Sequence, residues 1–194
     1  MKLLKLKGIF FLSILLSACA PSGKSKLPIL GQVADAQFEF LSQDSTVITP
    51  QTFENKIYVT DFFFTTCPTI CPQMKAQMLR VYEAYEENND IILLSHTIDP
   101  QHDTVGVLKD YSERLGISSD HWLMVTGEKN EIFDVAKKYM VSAMEDENQP
   151  GGFVHSGAFV LIDKKKQIRG YYDGTKELET SELIDDIEVL LNEG

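Results

Sequence analysis

The chain has 194 residues, room for one domain and a short extension, which excludes a large multidomain assembly. With 43% hydrophobic and 24% charged residues it can bury a sizeable core and is not disordered throughout. Its 18 Lys and Arg stand against 29 Asp and Glu, a net charge of −11, and setting aside Lys2, Lys5 and Lys7 of the leader brings it to −14. So acidic a surface repels a phosphate backbone and argues against nucleic acid as a partner.

Residues 1–19 read MKLLKLKGIFFLSILLSAC: three lysines, an apolar run from Gly8 to Leu16, then small residues up to a cysteine. That is the layout of an export signal, and the apolar run is too short to span a bilayer. The ending Leu16-Ser17-Ala18-Cys19 resembles the bacterial lipobox. It predicts a signal peptide over 1–18, cleavage before Cys19, a diacylglycerol on the Cys19 thiol, and a domain outside the cytoplasm tethered to a bacterial membrane. Residues 19–30 read as a linker and 31–194 as the domain. Cys67 and Cys71 are then the two cysteines left to pair, to bind metal or to react with a partner.

Along the domain, Ile57 to Phe64 (IYVTDFFF) is β-branched and aromatic and predicts a buried strand. A helix starting near Pro72 follows, with Met74, Met78, Val81, Tyr82 and Tyr85 on one face. The methionines read as packing, not as a copper relay. Ile91 to Leu94 predicts a central strand. Asp103-Thr104 caps a helix with Val105, Leu108, Tyr111 and Leu115 inward, ended by Gly116. Trp122 to Val125 predicts a third strand, and Glu128 to Met140 a helix burying Ile132, Val135, Ala136 and Tyr139. Phe159 to Asp163 and Ile168 to Tyr172 form a hairpin, and Leu183, Ile184, Ile187, Leu190 and Leu191 mark a closing helix. This order predicts an α/β thioredoxin-like fold: a mixed central sheet flanked by helices, with a C-terminal β-hairpin and helix.

The sharpest motif is Thr66-Cys67-Pro68-Thr69-Ile70-Cys71-Pro72, between the first long strand and its helix. A helix N-terminus stabilises thiolate, the reactive and metal-binding form, so both sulfurs are expected to be activated. Three intervening residues let the pair either close a disulfide or splay around one ion. Two thiolates favour soft Cu(I), while Zn(II) is the commoner occupant of Cys and His sites. A third ligand is to be sought among His96, His102, His121 and His155. His155 is the choice, because its glycine-rich approach, Gln149 to Ser156, passes beside the cysteine loop in such a fold, and a flexible Glu145 to Gly152 stretch would let it swing on and off. His96 and Asp99 stand at the exit of the Ile91 strand, where ligands gather in parallel sheets, but His96 is expected to find only a hydrogen bond. His102 belongs to a turn and His121 to a loop.

Three separated motifs, FFFTTCPTICPQM at 62–74, TIDPQHDT at 97–104 and VHSGAFVLIDKKKQI at 154–168, resemble the SCO (SenC/PrrC) family from about Pro28 to the C-terminus. The resemblance implies one copper per chain, Cu(I) or Cu(II), held by Cys67, Cys71 and His155, with Asp99 of the DP pair in support. It implies copper delivery to, or thiol reduction at, the copper-centre subunit of cytochrome c oxidase. The family often has an acidic residue where this chain has Val154, which alters how the imidazole is tuned. The alternative is a thiol-disulfide oxidoreductase using Cys67 and Cys71 as its redox pair, with His155 dispensable. A peroxidase is less apt, because Arg80, Arg114 and Arg169 all lie far in sequence from Cys67.

Overall fold

The computed structural model describes residues 26–33 and 37–193. In chain order they form β1 (Gly31–Gln32), β2 (Phe40–Ser42), β3 (Val47–Ile48), a 3-10 turn (Pro50–Phe53), β4 (Ile57–Phe63), α1 (Cys71–Tyr85), β5 (Ile91–Thr97), α2 (Val105–Leu115) and β6 (Trp122–Thr126). Then come α3 (Lys129–Lys138), β7 (Ala143–Glu145), β8 (Phe153–His155), β9 (Ala158–Ile162), β10 (Gln167–Asp173) and α4 (Glu177–Glu193). Eight strands make one sheet in the order β1-β10-β9-β4-β5-β6-β2-β3, and β7 pairs with β8 in a separate hairpin. Pairings β4·β5 and β5·β6 are parallel; the rest are antiparallel.

The three parallel strands read as unbroken apolar runs because both of their faces are covered: all seven residues of β4 are buried. Helices α1 and α4 pack on each other, α4 also lies against β10 and β4, and α2 lies against β6 and β2. Met74, Met78, Val81, Tyr82 and Tyr85 form the buried face of α1, so the methionines do pack. Thr104 caps α2 by accepting a hydrogen bond from the Val107 N–H, and Gly116 ends it in the left-handed conformation at φ 71°. Tyr111 and Leu115, expected on the inner stripe, are only half-buried, and Leu108 and Ser112 are the fully covered pair.

Several boundaries differ from the sequence expectation. Helix α1 starts at Cys71, with Pro72 inside its first turn, where a missing N–H costs nothing. Glu128 is the N-cap of α3 and not its first residue, accepting from the Asn130 and Glu131 amides; the helix stops at Lys138 because Met140 turns left-handed at φ 56°. The stretch Glu145 to Gly152, read as flexible, connects two paired strands and is closed by hydrogen bonds from Asp146 N to Gly152 O (2.9 Å) and Gly152 N to Gln149 O (2.9 Å). Leu27 and Pro28, within the stretch read as a linker, are held to the sheet: Leu27 is buried, and the Arg169 guanidinium donates to both of their carbonyls, at 2.7 and 3.0 Å.

Candidate metal centre

The C-terminal ends of β4 and β5 lie side by side, Phe63 opposite Thr97, so the connections that follow them share one edge of the sheet. The first carries Cys67 and delivers Cys71 as the opening residue of α1. Its start is clamped by Asp103 from the second. The fully buried Asp103 carboxylate accepts from the Thr65 N–H at 3.0 Å, from the Thr65 hydroxyl, from the Thr97 hydroxyl at 2.6 Å, and from His102 Nδ1 at 2.9 Å. Four donors on one carboxylate fix the loop two residues ahead of Cys67. Sequence reasoning saw Asp103 only as part of a helix cap; the hub was not visible because, His102 apart, its partners Thr97 and Thr65 are 6 and 38 residues away.

The third arm comes from the far side of the sequence. Strand β8 ends at His155, whose Nε2 lies 3.2 Å from the Cys71 sulfur. Its Nδ1 is 3.0 Å from the Ser156 carbonyl, which can only accept, so Nδ1 carries the proton and Nε2 presents a lone pair to the cysteines. The three potential ligand atoms of Cys67, Cys71 and His155 all lie within 4.8 Å of one another, the one such group among the described residues. Both cysteines are free and buried, His155 is half-buried, and a cleft of about 170 Å³ lined by Phe64, Cys67, Ile70, Phe153 and His155 opens over them.

The two thiols are not equivalent, contrary to the expectation that the helix N-terminus activates both. Burial pushes the Cys67 thiol up, but hydrogen bonds from the Cys71 and Thr69 side chains and from their backbone amides outweigh it and leave Cys67 below its ordinary value. Burial, then the bond to Cys67, drive Cys71 far above its own. Helix placement is overridden at Cys71 because the side chain is 2% exposed. Burial also lowers the His155 pKa, partly offset by its bond to Ser156, which keeps the imidazole neutral and able to ligate.

The other candidates lie apart from this group. Asp99 braces the turn that carries Asp103: its carboxylate accepts from the His102 N–H at 3.4 Å and its own N–H bonds Thr97 Oγ1 at 3.1 Å. His102 is half exposed and rests on Asp103. His96 is wholly buried and, among the described residues, neither of its nitrogens has a hydrogen-bond partner, so the one expected for it is not found there. The fit to a soft ion is chemical as well as geometric: two sulfurs and one neutral imidazole nitrogen converge in an apolar pocket, and the second nitrogen is tied to a carbonyl as metal-bound histidines usually are.

A family model described as SCO1/SenC matches residues 29–192. The SCO1 protein homolog of Bacillus subtilis (strain 168) is 28% identical over 185 residues, 94% of this chain and 95% of that one. Among solved structures, a SCO1/SenC family lipoprotein from Bacillus anthracis superposes with a TM-score of 0.73 at 28% identity, covering 80% of this chain and 93% of that one. BsSco, described as a member of the Sco family of cytochrome c oxidase assembly proteins with a disulfide switch, gives 0.73 at 26% identity, covering 85% and 97%. Copper-bound ScoI of Arabidopsis thaliana shares the fold, with a TM-score of 0.64 at 24% identity, covering 78% and 96%.

Proposed function

Because the chain belongs to the SCO1/SenC family, we propose that it is a copper chaperone that loads the copper-centre subunit of a cytochrome c oxidase. The observation that carries this is the meeting of Cys67, Cys71 and His155 within 4.8 Å at the ligand edge of the sheet. Copper is the cargo. Thiolates from Cys67 and Cys71 supply the soft donors and His155 Nε2 the third. Three donors leave room for an incoming ligand from the acceptor, so the ion passes by exchange of one donor at a time and is never free. Asp103 and, behind it, Asp99 hold the Cys67 arm in place.

The lipid tether is part of the same reading. Cys19 and residues 1–18 lie outside the described residues; the relative named a lipoprotein supports the anchor, and among the described residues no helix is long and apolar enough to cross a membrane. The anchor would leave the domain outside the cytoplasm, where an oxidase copper centre would be loaded.

A second reading, a thiol-disulfide oxidoreductase that prepares the acceptor's cysteines, draws on the unequal thiols. Cys67, the lower in pKa, would attack a partner disulfide, and Cys71 would resolve the mixed disulfide. The two activities separate at His155. In the His155→Ala chain, anaerobic competition against a Cu(I) chelator should show affinity lowered by at least about 10- to 100-fold, the range seen when only an outer partner of a metal ligand is lost, with dithiol exchange kept. Unchanged copper affinity would remove His155 from the ligand set; wild-type chain that holds no copper would leave the oxidoreductase.

A further inference from the structure

Beneath the metal site lies an ion pair that neither copper binding nor thiol exchange has used. Lys75 sits on the buried face of α1 one turn after Cys71, the i, i+4 relation that brings two side chains to neighbouring positions. Its side chain is 3% exposed and its ammonium is 2.8 Å from Asp61 Oδ2, with Asp61 fully buried on β4. Ser95 Oγ lies 3.1 Å from the same ammonium, bonds the other Asp61 oxygen, and accepts from Trp122 Nε1 at 2.9 Å. The Phe63 ring centroid is 3.9 Å from Lys75 Nζ. Burying such a pair is costly, and an apolar pair of similar volume would serve packing as well or better.

We infer that Lys75, held in place by Asp61 and Ser95, is a fixed internal counter-charge that sets which oxidation state of copper the site prefers. This rests on the copper reading above. With two thiolates and a neutral imidazole, the Cu(I) form carries one net negative charge and the Cu(II) form none, so a nearby cation favours Cu(I) over Cu(II). Lys75 is the member of the pair carried by α1, the helix that opens with Cys71. The Cys71 thiol, which burial and then Cys67 push up, is pulled down by its backbone bond to Phe64 and then by the Lys75 charge, and at His155 both charges act, Asp61 upward and more strongly than Lys75 downward. Lys75 touches neither copper nor substrate; it is a positioning charge.

The test is a mediated redox titration of the copper-loaded full chain, in which the mediator supplies the electron that converts Cu(II) to Cu(I). The midpoint reads the ratio of Cu(I) to Cu(II) affinity. Lys75→Met should lower that ratio about tenfold, about 59 mV for a one-electron couple. Asp61→Asn should raise it, and the double variant should lie nearer wild type than Lys75→Met does. A structural role would move both single variants the same way. A ratio in Lys75→Met at or above wild type, or a ratio in Asp61→Asn at or below it, overturns the inference. If Lys75→Met does not fold, Asp61→Asn decides alone: a raised ratio supports, an unchanged or lowered one overturns. Wild-type chain that binds neither ion overturns the copper reading, and this inference with it.

Discussion

At the scale of single residues, the imidazole of His96 is polarity buried among aromatic rings without a hydrogen bond from any described residue. The His96 ring stacks on Phe62 at 4.8 Å and 14°, with Phe40 and Phe38 edge-on at 5.5 and 6.1 Å, and neither nitrogen has a partner. Burial lowers its pKa from 6.5 to about 3. The unfolded chain therefore binds a proton below pH 6.5 that the folded chain refuses. The stability His96 permits is complete above that pH and falls by about 1.4 kcal/mol per pH unit as the pH drops toward 3. His96→Phe should remove this slope. Between pH 7.5 and 5, urea unfolding should show the wild type losing about 2 kcal/mol more than the variant; equal losses would mean that His96 is protonated in the folded chain.

At the scale of elements, the β7–β8 hairpin is what brings a distant histidine beside the two cysteines. Its register pairs Ala143 with His155 and Glu145 with Phe153, and the turn closes over the cysteine loop. Gly151 is where that closure is tight: at φ +86°, a Cβ there would lie 2.7 Å from the Phe64 ring. Gly152 has φ +82° but nothing within 4 Å. Gly151→Ala should thus cost about 1–3 kcal/mol in backbone strain plus displacement of Phe64, and Gly152→Ala only the strain. Thermal melts and Cu(I) competition should rank Gly151→Ala as the more damaging by several-fold in copper affinity; equal effects would place His155 independently of the turn.

The elements legible in the sequence were those whose signal is local. The runs at Ile57 and Ile91, the stripe through Met74 and Tyr85, and the Thr104 and Gly116 caps each declare themselves within a few residues. Strands of two or three residues, β1, β2, β3 and the β7–β8 pair, carry too little periodicity to show. At the site, spacing marked Cys67 and Cys71 and a glycine-rich approach marked His155. The Asp103 hub and the Asp61–Lys75 pair exist only through partners that folding brings together.

At the scale of the whole molecule, the two ends of the sheet have separate duties. β4 begins at Ile57, at the edge of the sheet that holds the β9–β10 turn and the end of β1, and ends at Phe63, at the edge that carries Cys67 and Cys71. The far end is tied shut by Arg169, buried and bonded to Asp163 at 2.8 Å, to Glu193 at 2.8 Å and to the Leu27 carbonyl, so Leu27 and the end of α4 are fastened together there. A tether entering at Leu27 would thus hold the domain by one end and present copper at the other. The central claim is that Cys67, Cys71 and His155 together hold that copper, and copper-edge X-ray absorption on the Cu(I)-loaded chain tests it most directly. The account predicts two sulfur ligands and one nitrogen, with the nitrogen lost in His155→Ala; a wild-type site with sulfur ligands alone, or a ligand set unchanged by that substitution, would contradict it.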